Sequence, residues 1–67
     1  MITLNGERAE LDAGASIAAL LARLGVREDG RGVAVAVDGE VVPRARWESY
    51  PLGEGSRVEV LTAMQGG

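Results

Sequence analysis

The sequence predicts an α+β domain in which a mixed, four- to five-stranded sheet packs against one helix, with the elements in the order β-β-α-β-β-β. Apolar residues alternate with polar ones on both sides of Asn5-Gly6 and again around Asp38-Gly39, which indicates two β-hairpins. Between the hairpins, apolar residues recur with the spacing of one helix face. The length of 67 residues allows a single domain over 1–67 and leaves no room for a second core.

The first hairpin turns at Asn5-Gly6. Asn-Gly is the strongest short hairpin signal, because both central residues of a type I′ turn need a positive φ, which these two residue types tolerate best. Alternation on the two strands then predicts four residues that face inward: Ile2, Leu4, Ala9 and Leu11.

The predicted helix follows Ser16, whose hydroxyl suits the N-cap because it can accept a hydrogen bond from a free amide of the first turn. Gly25 suits the position just past the helix end, where φ becomes positive. Four apolar residues lie between them at the spacing i, i+3, i+4, i+7: Ile17, Leu20, Leu21 and Leu24. We expect this face to pack on the sheet, since so short a helix is marginal alone.

The second hairpin joins an alternating strand, Val33 to Val37, through Asp38-Gly39 to a return strand that Pro43 ends. Proline lacks an amide donor and therefore belongs at a strand end or a sheet edge. Between residues 44 and 56, Pro51 together with glycines and serines predicts a crossing segment with at most one helical turn.

The last predicted strand runs from Arg57 to Leu61, with Val58 and Val60 inward and Arg57 and Glu59 outward. A helical crossover between the hairpins favours the first and last strands as parallel neighbours. The residues after the strand show no periodicity, so we expect a mobile tail over 62–67.

The composition excludes several classes of function. Cysteine, histidine and lysine are absent, which removes the commonest general base, the thiol nucleophile and the Schiff-base amine, so an enzyme built from this chain alone is not expected. A net charge of −3 argues against a nucleic-acid partner. Neither a membrane-spanning apolar run nor a signal-peptide pattern is present, and we expect a cytoplasmic protein.

Acidic residues are neighbours in two loops, Glu28-Asp29 and Asp38 with Glu40. We expect solvated loops rather than a metal site, because no histidine can complete a transition-metal site and no Asp-x-Asp-x-Asp-Gly spacing occurs. Gly30-Arg31-Gly32 lacks the Lys-Ser/Thr of a phosphate-binding loop. Neither a metal nor a bound cofactor is therefore expected.

Arg44, Arg46 and Trp47 form a compact group with two interpretations. Arginine and tryptophan concentrate binding energy at the centres of interfaces. In so small a domain, however, the only tryptophan is more often a partly buried cap on the core with solvated arginines around it, and we favour this second interpretation.

The pair with the clearest chemical meaning is Gly66-Gly67. A frayed chain end is the ordinary interpretation. However, the six residues from Thr62 to Gly67 can extend about 20 Å from the body, enough to enter another protein's active site. Glycines have no side chain to obstruct a nucleophile or a nucleotide phosphate, so Gly67 is the candidate reactive residue, presented by Met64, Gln65 and Gly66.

Taken together, the chain resembles the ThiS family, the sulfur-carrier proteins of thiamine biosynthesis. The resemblance covers 1–67, and its most specific part is Val42-Pro43-Arg44 with Trp47, followed at the family's spacing by Val58-Glu59-Val60 and the tail. Further matching features are Asn5-Gly6, the apolar helix face, Leu52 before a glycine-rich turn, and Gly66-Gly67.

The resemblance implies a ubiquitin-like β-grasp fold and a protein that is a co-substrate of partner enzymes rather than an enzyme. A ThiF-type enzyme would adenylate the Gly67 carboxylate with ATP, and sulfur from a cysteine desulfurase would convert it to a thiocarboxylate. The thiocarboxylate would then donate its sulfur to a ThiG-type thiazole synthase. The catalytic groups would belong to these partners.

Two alternatives stay open. One is a small subunit of the molybdopterin-synthase type, which also carries sulfur as a Gly-Gly thiocarboxylate but delivers it to another acceptor. Residues 61–65 lack the proline and aromatic residues that are usual before the glycines of such subunits. The other is a ubiquitin-like interaction module or modifier. Deleting Gly67 would abolish a carrier's function and leave an interaction module able to bind.

The partner surface is expected on the sheet face away from the helix and along the tail. Leu61 and Met64 would be apolar contacts, with Arg57 or Glu59 at the rim. Leu61 is out of phase with Val58 and Val60 and should therefore be exposed.

Overall fold

The computed structural model describes residues 1–26 and 31–62. In this part of the chain five strands, one α-helix and one 3₁₀ helix occur in the order predicted from the sequence. The strands and helices are β1 (Ile2–Leu4), β2 (Glu7–Ala9), α1 (Ile17–Arg23), β3 (Val33–Val37), β4 (Glu40–Val42), the 3₁₀ helix (Arg44–Ser49) and β5 (Arg57–Thr62).

The five strands form one mixed sheet in the order β2-β1-β5-β3-β4. The first and last strands are parallel neighbours, with Thr3 opposite Arg57 and Leu4 opposite Val58, as predicted. The other three strand pairs are antiparallel. Strand β5, the last strand among the described residues, therefore lies at the centre of the sheet, between the two hairpins.

Both predicted hairpin turns are confirmed. Asn5 and Gly6 have φ values of 49° and 85°, and Asp38 and Gly39 have 50° and 89°. Two successive positive φ angles define a type I′ turn, whose twist matches that of the flanking strands.

Helix α1 has the predicted ends. The Ser16 hydroxyl oxygen accepts a hydrogen bond from the Ala19 amide at 3.1 Å. At the other end Gly25, with φ of 80°, donates to the Ala22 carbonyl at 3.1 Å, and Val26 donates to the Leu21 carbonyl at 3.0 Å. This pair of bonds is a Schellman motif, which satisfies carbonyls that the last helical turn leaves free.

The core lies between α1, the crossing segment and the inner face of the sheet. Leu4, Ala9 and Leu11 of the first hairpin region are half-buried and pack against it. Its buried members are Ile2, Ile17, Leu20, Leu21, Val35, Val37, Val42, Trp47, Leu52, Val58 and Val60.

Three details of the prediction are wrong. Leu24 is 46% exposed rather than inward, because it is the C-cap of α1 and the chain turns at Gly25, so that Val26 packs on the core instead. The crossing segment contains a six-residue 3₁₀ helix, which is two turns at about three residues each rather than at most one. Strand β5 continues to Thr62, one residue beyond the predicted end, because Thr62 still pairs with Val33.

The crossing segment is held against the start of α1. The Ile17 amide donates to the Tyr50 carbonyl at 3.0 Å, and the Leu52 amide donates to the Ala15 carbonyl at 2.8 Å. These bonds satisfy main-chain groups at the helix start, where a helix leaves its first amides unpaired.

Candidate functional site

The outer face of β5 carries the outward residues that were predicted. Its burial alternates, with Val58 and Val60 in the core and Arg57, Glu59 and Leu61 exposed. Leu61 is 67% exposed, unusual for a large apolar side chain on a central strand. The three predicted contact residues of this strand therefore share one surface.

The register extends this surface across the neighbouring strands. Ala34 of β3 lies opposite Leu61 of β5. Ala36 of β3 lies opposite Glu59 of β5 on one side and Val41 of the edge strand β4 on the other. Val41 is 75% exposed. We call the apolar surface formed by these four residues the outer patch: Ala34, Ala36, Val41 and Leu61.

Val41 is a member that the sequence reasoning missed. Val41 and Val42 are consecutive on one strand, and side chains of successive strand residues point to opposite faces. Since one of the two valines must face outward, the pair itself was a signal of an apolar outer face. The structure buries Val42 and exposes Val41.

A shallow groove of about 410 Å³ lies where β5 ends. It is an open depression lined by Leu61 and Thr62 at the end of β5 and by Gly32, Val33 and Ala34 at the start of β3, two strands that pair directly here. The groove is lined mostly by apolar surface. It adjoins the outer patch through Ala34 and Leu61, so an apolar surface continues to the last described residue before the tail.

Strand β5 is tied to the first residue of both hairpin turns. The Asp38 Oδ1 atom accepts from the Arg57 amide at 2.9 Å, while the Asp38 amide donates to the Arg57 carbonyl at 2.7 Å. Near the other end of the strand, the Asn5 Oδ1 atom accepts from the Val60 amide at 2.8 Å, and Asn5 Nδ2 donates to the Val60 carbonyl at 3.2 Å. Both ends of β5 are therefore fixed by side chains.

The remaining predicted site residues lie elsewhere. Met64, Gln65, Gly66 and Gly67 are outside the described residues. Arg44 and Arg46 are exposed on the 3₁₀ helix, whereas Trp47 is only 6% exposed and belongs to the core. Of the two interpretations of this group, the structure supports the core cap.

The predicted solvated acids are placed only in part. Glu28 and Asp29 lie outside the described residues, as does Gly30 of the predicted loop. Asp38 is exposed and engaged with β5. Within residues 1–26 and 31–62, no three acidic side chains come together as a metal ion would require, and neither helix there is long and apolar enough to cross a membrane.

Comparison with known proteins connects this arrangement to one family. The family model named ThiS matches residues 2–67. A thiazole synthase of Paramagnetospirillum magneticum is 33% identical over 66 residues, which cover 98% of this chain and 20% of that protein. The chain thus spans about one fifth of that relative's length.

A solved structure gives the same result. The crystal structure of the thiamine biosynthesis protein ThiS from Geobacter metallireducens matches with a TM-score of 0.80 and 31% identity, covering 98% of this chain and 97% of that one. The five-stranded sheet with its helix is the β-grasp fold predicted from the sequence. The chain belongs to the ThiS family, the sulfur carriers of thiamine biosynthesis.

Proposed function

We propose that the carboxylate of Gly67 is the working group of this carrier, that it is adenylated and converted to a thiocarboxylate, and that it donates sulfur for thiazole formation. The observation that carries the proposal is the extent of the family match, which reaches residue 67 and so includes both glycines. The central strand β5 leads directly into this segment.

The proposed chemistry follows from the poor reactivity of a carboxylate. Attack of the carboxylate on the α-phosphate of ATP releases pyrophosphate and gives an acyl adenylate, which has a good leaving group. The terminal sulfur of a cysteine desulfurase persulfide then displaces AMP. A thiol reduces the resulting acyl disulfide, and the thiocarboxylate is set free as a soft sulfur nucleophile.

The catalytic groups for these steps come from partners in this proposal. The sequence contains no histidine, cysteine or lysine, the residue types that most often serve as base, persulfide carrier or amine nucleophile. ATP is consumed in the partner's site, and the carrier binds no cofactor of its own. The absence of lysine also leaves no side-chain amine on this chain that could capture the activated Gly67.

The outer patch is the proposed docking surface for a ThiF-type adenylating enzyme. Leu61 is the member of the patch on β5 and is 67% exposed, with Glu59 and Arg57 beside it as a charged rim. The groove at Leu61 and Thr62 continues this surface toward the tail. An enzyme that contacts the patch therefore lies next to Thr62, after which the chain continues to Gly67.

The proposed acceptor is a ThiG-type thiazole synthase. The thiazole synthase of Paramagnetospirillum magneticum contains a segment similar to nearly all of this chain within one polypeptide. Because that synthase itself contains a carrier-like segment, the match supports a thiazole synthase, rather than a molybdopterin synthase, as the enzyme that receives the sulfur.

Intact mass spectrometry tests the proposal. The protein is incubated with ATP, magnesium, a ThiF-type enzyme, a cysteine desulfurase, cysteine and a thiol, and its mass is compared before and after. The proposal expects a gain equal to the replacement of one oxygen by sulfur. The control variant lacks Gly67 and should show no gain, since it keeps the outer patch but loses the reacting residue.

The starting mass shows whether Gly67 carries a free carboxylate, and activity of the partners is verified with a known carrier. No mass gain under these conditions would overturn the proposal. Binding without modification would instead favour an interaction module.

A further inference from the structure

Asn5 takes over a main-chain role in the pairing of β1 with β5. Because Thr3 lies opposite Arg57 and the Asn5 amide donates to the Val58 carbonyl at 2.9 Å, the parallel ladder reaches Asn5. In a regular ladder the next bond would join the Val60 amide to the main-chain carbonyl of Asn5. The chain turns back at this residue, which has φ of 49°.

The side-chain amide of Asn5 replaces the missing strand. It accepts from the Val60 amide at 2.8 Å and donates to the Val60 carbonyl at 3.2 Å. A primary amide offers an acceptor and a donor, as a peptide group does. Both main-chain groups of Val60 are thereby satisfied, although Val60 is buried and β1 has ended.

The position of this contact connects it to the site. Val60 directly precedes Leu61, the main residue of the outer patch, and Thr62, the last described residue before the tail. On the opposite side, β3 pairs with β5 up to Thr62. On the β1 side, Asn5 therefore fixes the position of Val60, and with it the adjoining Leu61 and Thr62.

We propose that Asn5 is a positioning residue of the carrier reaction, which holds Val60 so that docking at the outer patch brings Gly67 to a fixed entry point in the partner's site. The catalytic part of this inference rests on the proposed function. Small displacements of a reacting group lower the rate strongly even when binding is retained. Loss of the Asn5 side chain should therefore lower kcat more than it raises KM.

The chain contains a matched control at its other hairpin turn. Asp38 has the same backbone conformation and is likewise followed by glycine, and its side chain holds the Arg57 amide at the far end of β5. Asn5→Gly and Asp38→Gly both keep a turn of two residues that tolerate positive φ. Asn5→Gly removes a neutral side-chain clamp near the tail. Asp38→Gly removes the clamp on Arg57 at the distant end of β5 together with one negative charge.

The experiment combines amide hydrogen exchange with the kinetics of adenylation by a ThiF-type enzyme. Exchange should become faster at Val60 in Asn5→Gly and at Arg57 in Asp38→Gly. A hydrogen bond of ordinary strength corresponds to a factor of about 2–12 in an equilibrium or a rate. We therefore expect kcat to fall about fivefold in Asn5→Gly, while its KM stays within about twofold of wild type. In Asp38→Gly both kcat and KM should stay within about twofold of wild type.

Asn5→Asp is a partial rescue variant, because it keeps an acceptor for the Val60 amide but replaces the donor to the Val60 carbonyl with a carboxylate oxygen, which repels that carbonyl and adds a negative charge. It should therefore recover only part of the kcat that Asn5→Gly loses. Equal losses in both glycine variants, or unchanged kcat in Asn5→Gly, would overturn the inference. If the wild-type protein is not adenylated, the proposed function fails, and the clamp is then judged from amide hydrogen exchange. Faster exchange at Val60 in Asn5→Gly, but not in Asp38→Gly, supports the clamp. Unchanged exchange at Val60 overturns it.

Discussion

The indole Nε1 of Trp47 donates a hydrogen bond to the Val42 carbonyl at 2.9 Å. Val42 is the last residue of the edge strand β4, and Trp47 lies on the 3₁₀ helix that follows it. The bond closes the chain reversal after Pro43 and satisfies the one polar group of a side chain that is otherwise in the core. A buried indole N–H usually requires such a partner.

Trp47→Phe is expected to destabilise the protein by about 1–3 kcal/mol, because it leaves the Val42 carbonyl without this donor and removes one ring from the core. In a domain of this size, the melting temperature should fall by at least about 4 °C. Urea unfolding followed by circular dichroism measures the change. A variant as stable as wild type would show that the bond contributes nothing net.

Ser16→Ala removes the N-cap of α1 and should cost about 1 kcal/mol of unfolding free energy. The Ser16 oxygen pairs with an amide that the helix itself leaves free. Ser49→Ala is the control, since the Ser49 hydroxyl is exposed and its bond to the Arg46 carbonyl is long, at 3.4 Å. Its stability should stay within about 0.5 kcal/mol of wild type. Equal costs at the two sites would contradict the capping role.

Gly25→Ala should destabilise the protein by about 1–2 kcal/mol. The cause is backbone strain alone, because φ is 80° and an added Cβ would meet no atom within 4 Å. Asparagine adopts positive φ more readily than alanine, so Gly25→Asn should recover part of the loss in the same urea titration. If alanine were tolerated without cost, the Schellman turn would not need this conformation.

Local signals explain why most of the fold could be predicted. Asn5-Gly6 and Asp38-Gly39 specify turns through backbone conformation alone, and Ser16 and Gly25 mark the helix ends in the same way. Alternation on β5 then determined its buried and exposed faces. Each of these features depends on residues close together in the chain.

The features that could not be predicted depend on distant contacts. The clamp of Asn5 on Val60 joins residues 55 apart in sequence, and a turn signal does not reveal what its side chain binds. The exposure of Leu24 follows from where α1 ends over the sheet, which helical spacing does not encode. The position of Gly66-Gly67 after the last predicted strand marked the tail as a candidate, but only the family resemblance indicated which chemistry it would carry, since glycines have no side chains.

Val41→Thr tests whether the outer patch includes the edge strand. Threonine keeps the branched shape that suits a strand, and Val41 is 75% exposed, so stability should change by less than about 0.5 kcal/mol. The added hydroxyl should weaken binding to a ThiF-type enzyme by a factor of about 2–5, since apolar contact at the patch is lost. Isothermal titration calorimetry measures both affinities. Unchanged affinity would exclude the edge strand β4 from the contact.

Leu61→Asp is the sharpest test of the docking surface. Leu61 is 67% exposed, so its side chain contributes little to the fold. A carboxylate placed beside Glu59 makes the patch more acidic and cannot be buried in an apolar contact without a large desolvation cost. We expect the dissociation constant for a ThiF-type enzyme to rise at least about tenfold.

Leu24→Asp is the matched control for this variant. Leu24 is also a large exposed apolar residue, at 46%, but it lies at the end of α1 and outside the outer patch. The same substitution there changes the net charge equally, so any general effect of added negative charge on association appears in both variants. If Leu61→Asp binds as tightly as Leu24→Asp, the outer face of β5 is not where the adenylating enzyme docks.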